Sequence, residues 1–411
     1  MKNELVNTDT YSEVDTNEDE IIRSHVKFCA KFKVLTDDLV LPFIHLTPKF
    51  HKRNLDFRYI AAAKKSSLKS LSQIMSKILK LVDRTILFSD RYKFNFKDAS
   101  GYFIAKNKDK AIADLNYLNH TFHGRSIMSF DFKKLYTNLP HDKVIEKLSD
   151  IIKRCFEEKK LEFINVSKQL NASWSSKKTS SGWSFTYNNI METSKYLINN
   201  IYIKFRGKIY RQTIGIPMGS DCAPQVADLF LYWYEHSFVS AGVDDGLDIV
   251  HVLKYASRYI DDLNVPNCTS EIEDIICSDI YPHDLELVRT NDDPMSSTFL
   301  DLHIFIDGNK FGTRLYDKRR DFNFKVVSFP NLKSNIPDEP SYGTFIGELH
   351  RLCKSCSQLT NFIDEVKLLM SKLTHQNFSK HRLIQNLAKF IRSKPACLNK
   401  YWCKLKVPMF V

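Results

Sequence analysis

Helical patterns dominate the two ends of the chain. After Ser66 and Ser67, which are favourable helix caps, apolar side chains recur every three or four positions from residue 68 to residue 79. Residues 342 to 392 contain three further patterns with the same spacing. We therefore predict a long amphipathic helix in the first part of the chain and a helical region near its end.

Strand patterns occupy the middle of the chain. Residues 200 to 213 alternate between apolar and polar side chains around a glycine, which predicts a β-hairpin. Two short apolar arms flank Asp261 and Asp262 and predict a second hairpin with both acids at its tip. An apolar run through Phe132 precedes a turn and a helical pattern, and short strands are predicted in residues 285 to 329. The chain is therefore expected to be of the α+β class.

Two segments interrupt these patterns. Residues 1 to 20 contain seven acidic residues and one lysine, and this composition predicts a disordered tail. Residues 166 to 184 are rich in serine and lysine and predict a polar surface insertion or mobile loop. The acidic segment carries a charge of −6 out of a net +12, so the remaining chain carries +18. Such a positive field attracts polyanions, of which nucleic acid is the most common.

Cysteine usage and hydropathy indicate the compartment. The nine cysteines are odd in number and mostly lie within apolar patterns, which suits a reducing environment. The N-terminus is acidic, whereas a signal peptide begins with basic and then apolar residues. No run of eighteen apolar residues occurs in the sequence. We expect an intracellular protein without a membrane partner.

Three aspartates are the candidate chemical centre. A strand that ends at Asp131 beside a hairpin tip with Asp261 and Asp262 would bring three carboxylates together. Phosphoryl transfer to a growing chain uses two divalent cations about 4 Å apart, and hard cations prefer carboxylate oxygens. The backbone carbonyl of Phe132 could add a ligand. The alternative is that each acid is an ordinary solvated turn residue.

Five segments in order resemble the reverse transcriptases, and most closely those of Penelope-like retroelements, which are akin to telomerase catalytic subunits. The resemblance covers about residues 40 to 395. Its segments are HLTPKFHKRNLDFRYIA, SFDFKKLYTNLP, GIPMGSDCAPQVADLFL, RYIDDL, and TFLDLHI with the following LYDKRRDFNF. The first resembles the fingers, the second the first carboxylate motif, the third the positioning loop, and the fourth the YxDD box.

The resemblance implies roles for individual residues. Asp131 and Asp261 would be the main ligands of two Mg²⁺ ions, which Mn²⁺ could replace, and Asp262 would be the second acid of the box. Nucleotide binding is implied for Lys52, Arg58, Tyr136, Met218 and Gly219. The ring of Tyr136 would exclude a ribose 2′-OH and select dNTPs, and the alternative for this residue is plain core packing. Template and primer positioning is implied for Gly215, Pro217, Ser220 and Tyr259.

The family also implies a right-hand polymerase fold. Fingers are expected at residues 21 to 125, a palm with an antiparallel sheet and flanking helices at 126 to 330, and a helical thumb at 331 to 411. Penelope-like elements often carry a GIY-YIG endonuclease after the thumb, but only seventeen residues follow Lys394. We therefore expect that this domain is lacking.

Some positions depart from the family pattern. Asp221 follows Ser220, and Tyr59 follows Arg58, where relatives often have proline, and either change could alter loop geometry. Arg289 and His283 lie near the expected place of a late general acid, and neither is assigned this role. A four-thiolate zinc site from Cys353, Cys356, Cys397 and Cys403 is the alternative to core packing of these cysteines.

The expected function is RNA-directed DNA polymerisation, with an RNA template, a DNA primer and dNTPs, in the nucleus. A second hypothesis is a retroelement-derived nucleic-acid-binding protein that no longer polymerises. A third is an unrelated basic α+β protein with accidental motif matches, which would separate Asp131 from Asp261 in space.

Overall fold

The structure is a computed structural model that describes residues 9–35, 39–50, 57–93, 103–244, 249–324, 326–393, 398, 399 and 401. The helices in chain order are α1 (Glu18–Lys31), α2 (Lys69–Lys93), α3 (Lys108–Thr121), α4 (Leu135–Asn138), α5 (His141–Lys159), α6 (Tyr187–Asn199), α7 (Ala223–Asp244), α8 (Ile249–Leu253), α9 (Ser270–Ser278), α10 (Asp338–Ser355), α11 (Leu359–Thr374) and α12 (Lys380–Ser393).

The strands, again in chain order, are β1 (Tyr11–Val14), β2 (Ile44–Pro48), β3 (Phe57–Ala61), β4 (Ile127–Lys133), β5 (Phe163–Val166), β6 (Ala172–Ser175), β7 (Trp183–Phe185), β8 (Tyr202–Phe205), β9 (Lys208–Gln212), β10 (Ser257–Tyr259), β11 (Asp262–Pro266), β12 (Glu286–Arg289), β13 (Ser296–Phe299), β14 (Leu302–Asp307) and β15 (Lys310–Leu315).

The chain separates into two compact units. The first comprises Met1–Ile104, Phe130–Leu263 and Thr269–Val288, and the second comprises Ala105–Ser129, Asn264–Cys268 and Arg289–Val411. Neither unit is one continuous stretch, so the expected division into fingers, palm and thumb stays a prediction. None of the helices that the structure describes is both long enough and apolar enough to span a membrane.

A helical core organises the first unit. The predicted amphipathic helix is α2, and Leu71, Ile78 and Leu79 on its apolar face are fully buried. Helices α5, α6 and α7 pack against α2. Helix α7 is apolar nearly all round, as expected for a helix enclosed by neighbours on several sides. This core confirms the helical patterns read from the sequence.

The predicted hairpin at residues 200 to 213 is confirmed, and the chain turns between β8 and β9 at Arg206 and Gly207. Strand β1 adds to the free side of β9 in antiparallel register, with Tyr11 opposite Gln212. The expectation of a disordered tail through residue 20 is therefore wrong for residues 9 to 20.

Partners distant in sequence explain why this segment is ordered despite its charge. Glu13 pairs with Lys208 at 2.6 Å, and Glu18 pairs with Lys204 at 2.7 Å. The other acids at the start of α1 lie in its first turn, where the helix dipole favours negative charge, and Asn17 caps this turn.

Residues 166 to 184 also differ from the expectation of a mobile loop. Strands β6 and β7 pair with the two sides of β5 and form a small antiparallel sheet. The indole of Trp174 donates a hydrogen bond to Thr85 Oγ1 at 3.0 Å, and its ring packs edge-on against Phe156. A serine-rich and lysine-rich segment is thus held by strand pairing and by the contacts of one half-buried tryptophan.

A four-stranded sheet in the order β10-β11-β4-β12 carries the candidate acids. Residues Ile127 to Phe130 of β4 are all buried, on both faces of the strand, which agrees with their mostly apolar sequence. Asp131 is partly exposed between the buried residues Phe130 and Phe132. Strand β4 therefore presents a partly exposed carboxylate close to its end.

The second unit contains the antiparallel sheet β13-β14-β15 and the three C-terminal helices. Phe345, Leu349, Leu373 and Leu383 are fully buried in the core that α10, α11 and α12 share. This arrangement confirms the three helical patterns predicted for residues 342 to 392 and the short strands before them.

Candidate active site

The end of β4 lies beside the turn between β10 and β11. The backbone amide of Phe132 donates a hydrogen bond to the backbone carbonyl of Asp261 at 3.3 Å. Asp131 and Asp261 therefore belong to backbone segments in direct contact, although 130 positions separate them in the sequence. A large distance between these two acids would have established the third hypothesis, and their chain segments are instead in contact.

The turn that carries Asp261 is tight and strained. Its two central residues are Ile260 and Asp261, and Ile260 has a φ of +56°. A β-branched residue rarely adopts a left-handed conformation, and such outliers cost about 1–3 kcal/mol and cluster at functional sites. The surroundings of this turn must hold it in place.

The donor chemistry at these positions suits a hard divalent cation. Asp131 and Asp261 offer carboxylate oxygens, and their backbone segments meet where the Phe132 amide donates to the Asp261 carbonyl. Asp262 is exposed at the start of β11. Within the described part of the chain, no three His, Cys, Asp or Glu side chains lie in an arrangement that could hold a metal ion. The residue types at Asp131 and Asp261 suit such a cation, and the described residues do not complete a three-acid cluster.

Helix α4 and the loop at residues 214 to 222 hold each other through backbone contacts. The amide of Ile216 donates to the carbonyl of Tyr136 at 2.7 Å, and the amide of Gly215 donates to Leu139 at 2.8 Å. Gly215 has a φ of +83°, and a Cβ there would lie 2.3 Å from the Tyr136 carbonyl oxygen. Only glycine allows this approach. The loop thus fixes the backbone of Tyr136.

The other side of the same loop contacts β3. The amide of Ala61 donates to the carbonyl of Met218 at 2.8 Å, and a Cβ on Gly219 would lie 2.0 Å from the Ala61 carbonyl oxygen. Ala61 ends the strand that carries Arg58, whose side chain is exposed. Lys52 lies outside the described residues. The loop therefore joins the strand of Arg58 to the helix of Tyr136.

A cavity of about 30 Å³ lies at this junction and is lined by Tyr59, Tyr136, Pro217 and Met218 among others. Burial raises the pKa of the Tyr136 phenol, and the charge of Asp261 and the neighbouring Tyr259 raise this pKa further. Tyr136 therefore lies within electrostatic reach of both the acidic turn and Tyr259. The structure brings these predicted site residues into one region.

One pair that sequence reasoning missed fixes the loop to α2. Lys69 Nζ contacts Asp221 Oδ2 at 2.6 Å, and Ser220 Oγ lies 3.0 Å from Ser72 Oγ. The departure of Asp221 from the family pattern thus has a structural partner. An aspartate at position 221, where relatives often have proline, was the only sign of this pair in the sequence. Its partner Lys69 lies 152 positions away.

The cysteine alternative gains no support. Cys353 and Cys356 are buried in the core of the second unit, and the hydroxyl of Tyr401 donates to the Cys356 carbonyl oxygen. Cys397 and Cys403 lie outside the described residues. Arg289 donates to the carbonyl of Asn291 at 2.7 Å and, like His283, receives no role as a general acid.

Comparison with known proteins shows the fold of the chain. Telomerase from Candida albicans, solved in a complex with a TWJ fragment of telomeric RNA, matches with a TM-score of 0.56 and 16% identity. The match covers 97% of this chain and 68% of that chain. The chain has a right-hand polymerase fold of the α+β class. This confirms the fold that the sequence motifs implied.

Two further solved structures match less well. Apo telomerase from Candida tropicalis gives a TM-score of 0.48 at 14% identity, over 95% of this chain and 69% of that chain. The Sicinivirus 3Dpol RNA-dependent RNA polymerase gives 0.44 at 10% identity, over 90% and 71%. These scores are too low to carry weight, so the assignment of the polymerase fold rests on the first match. No protein-family model and no curated protein matches the chain.

Proposed function

We propose that the protein is an RNA-directed DNA polymerase that adds dNTPs to a primer 3′-OH. The observation that carries this proposal is the backbone contact between Phe132 and Asp261, which brings the chain segments of Asp131 and Asp261 together in a right-hand polymerase fold. Burial and the charge of Asp261 raise the pKa of Tyr136, and the loop of Gly215 holds the backbone of this tyrosine. This arrangement suits a site where a nucleotide meets a primer end.

Different residues would bind the metal ions, the sugar and the triphosphate. Asp131 and Asp261, with the carbonyl of Phe132, would hold the metal ions. When bound, two Mg²⁺ ions would activate the primer hydroxyl and stabilise the leaving pyrophosphate, and Mn²⁺ could replace them. Tyr136 would lie under the sugar and exclude a 2′-OH, while Arg58, together with Lys52, would neutralise the triphosphate.

The proposal extends to the partners and the biological context. The positive charge of residues 21 to 411 suits a template and a primer, and the Candida albicans telomerase was solved with an RNA fragment. The five ordered motifs support a Penelope-like retroelement, and reverse transcription of such an element would take place in the nucleus.

One observation favours the alternative function, a nucleic-acid-binding protein that no longer polymerises. Asp262 is exposed, and the described residues contain no cluster of three acids fit for a metal. A binder with this fold would retain affinity for RNA and DNA but would not extend a primer.

Primer extension on RNA and DNA templates, with Mg²⁺ or Mn²⁺, tests the proposal. We expect extension on RNA with dNTPs, and we expect Asp261→Asn to abolish it because a neutral amide holds a cation poorly. Asp274→Asn is the matched control, since Asp274 is an exposed aspartate on α9 in the same unit. Nucleic-acid binding without extension by the wild type would favour the binder, and extension by Asp261→Asn would refute the mechanism.

A further inference from the structure

A fully buried arginine lies three residues before Asp261. The side chain of Arg258 is enclosed together with that of Glu235 on α7, and both have 0% exposure. The Nε of Arg258 donates to Glu235 Oε1, and its Nη2 donates to Glu235 Oε2 at 3.2 Å. Nη1 donates to Asp228 Oδ1 at 2.8 Å. A buried guanidinium is tolerated only when it is paired in this way.

The same guanidinium reaches the strained turn. Arg258 Nη1 donates to the carbonyl oxygen of Ile260 at 3.1 Å. Ile260 is the residue with left-handed φ, and its carbonyl belongs to the peptide that leads into Asp261. A conformation of this cost persists only where neighbouring groups hold it. The buried side chain of Arg258 is one of the groups that stabilise this turn.

Glu235 also connects to the strand of Asp131. The hydroxyl of Tyr281 donates to Glu235 Oε1 at 2.9 Å. The ring of Tyr281 packs edge-on against Phe132, with the ring centroids 4.8 Å apart and an interplanar angle of 86°. Phe132 follows Asp131 directly. One buried carboxylate therefore contacts, through two partners, both backbone segments that carry the candidate acids.

We infer that Glu235, held by Arg258 and Tyr281, is a positioning residue that fixes the turn of Asp261 against the strand end of Asp131. The inference rests on the proposed polymerase function for its effect on catalysis. Its structural part is that removing the contact of Arg258 or of Tyr281 with Glu235 makes the turn of Asp261 more mobile. Partners one step removed from metal ligands typically change metal affinity or activity by about 10–100-fold when mutated.

A second network in the same unit offers a matched control. Arg154 Nη2 donates to Asp90 Oδ1 at 3.2 Å and to the hydroxyl of Tyr232 at 2.8 Å, and that hydroxyl donates to Asp90. Like the network of Arg258, it contains an arginine, a carboxylate and a tyrosine, and it also includes His236, whose Nε2 lies 3.0 Å from Arg154 Nη1. It joins α2, α5 and α7, and these hydrogen bonds link the three helices to one another.

The experiment compares Arg258→Lys and Tyr281→Phe with Arg154→Lys and Tyr232→Phe in the full chain. Hydrogen exchange of residues 259–263, measured by mass spectrometry, is the deciding readout because it needs neither metal nor activity. Mn²⁺ binding, followed by electron paramagnetic resonance, and the separate kcat and KM values of primer extension are the second and third readouts.

We expect faster exchange at residues 259–263 in both test variants and in neither control. We also expect Mn²⁺ affinity and kcat to fall by about 10-fold or more for Arg258→Lys, with a smaller fall for Tyr281→Phe, while the KM for the template is unchanged. The controls should lower the melting temperature without these effects.

Exchange at residues 259–263 that is unchanged in Tyr281→Phe would overturn the inference. If Arg258→Lys does not fold, Tyr281→Phe decides alone, since it removes only a hydroxyl and keeps the ring against Phe132. Absence of primer extension by the wild type would instead refute the proposed function, and the exchange comparison would still decide the positioning role.

Discussion

The backbone amide of Ala61 donates a hydrogen bond of 2.8 Å to the carbonyl oxygen of Met218, and Gly219 lies against the same strand end. This contact joins the strand of Arg58 to the loop that also holds Tyr136. Neither Gly215 nor Gly219 of this loop has room for a side chain, because a Cβ at either position would collide with neighbouring backbone. Gly219 therefore determines how closely the loop approaches β3, and Gly215 how closely it approaches α4.

Gly219→Ala is expected to destabilise the protein by about 3 kcal/mol or more and to abolish primer extension. A Cβ at this position would lie 2.0 Å from the Ala61 carbonyl oxygen, which is backbone and cannot rotate away. Urea unfolding and primer extension measure the two effects. A variant with wild-type stability and activity would show that the strand end moves freely.

Gly207→Ala tests the cost of a positive φ alone, without the steric collision that a Cβ at Gly219 would cause. Gly207 has a φ of +79°, but nothing lies within 4 Å of a Cβ there. We expect a loss of only about 1–2 kcal/mol from the left-handed conformation, with primer extension retained. Equal losses at the two glycines would attribute the effect to backbone conformation alone.

Tyr136→Ala is expected to weaken the selection of dNTPs over rNTPs. If the ring fills the space that a 2′-OH would need, its removal lowers the ratio of kcat/KM for dNTP and rNTP by roughly 10–200-fold. Tyr136→Phe keeps the ring and loses only the hydroxyl, so its selectivity should remain near that of the wild type. Single-nucleotide incorporation measures both variants. Unchanged selectivity in Tyr136→Ala would assign the ring to core packing.

The three aspartates are expected to differ in importance. Asp131→Asn should reduce primer extension by about 10³-fold or more, because we propose that the carboxylates of Asp131 and Asp261 hold the cations that stabilise the charge of the transition state. Asp262→Asn should reduce it much less, since Asp262 is exposed and no three-acid cluster exists among the described residues. Steady-state kcat values decide the order. Equal losses for Asp131→Asn and Asp262→Asn would restore the three-acid site implied by the family.

Local patterns predicted the elements of the site well. The apolar residues before Asp131 and the two apolar arms around Asp261 predict a strand and a hairpin from neighbouring residues alone. The resemblance in motif order implied that the two would meet. The bond from Phe132 to Asp261 agrees with this prediction. The glycines of the loop were also recognisable, because only glycine permits such close backbone contacts.

Partners distant in sequence were beyond the reach of these patterns. Nothing near Glu13 indicates that Lys208 will pair with it, and the acidic composition therefore suggested disorder. Arg258 and Glu235 stand inside apolar stretches, which signals buried charges, but their pairing depends on how α7 packs against β10. Tertiary contacts, and not local propensity, determine these features.

Acid should destabilise the first unit through His25. This side chain is 2% exposed, its Nδ1 lies 2.7 Å from Ser67 Oγ, and its Nε2 has no hydrogen-bond partner among the residues that the structure describes. Burial lowers the pKa of His25 from 6.5 to about 4. The unfolded chain therefore binds a proton between these pH values while the folded chain does not. Stability is complete above pH 6.5 and decreases as the pH falls toward 4.

The full decrease attributable to His25 is on the order of 3 kcal/mol, since each pKa unit corresponds to about 1.4 kcal/mol. Urea unfolding at a series of pH values measures it. His25→Gln removes the titration and should flatten the dependence of unfolding free energy on pH in this window, whatever its effect at neutral pH. His251→Gln, at an exposed histidine of the same unit, should leave the slope unchanged. An equal slope in wild type and His25→Gln would assign the acid sensitivity to other groups.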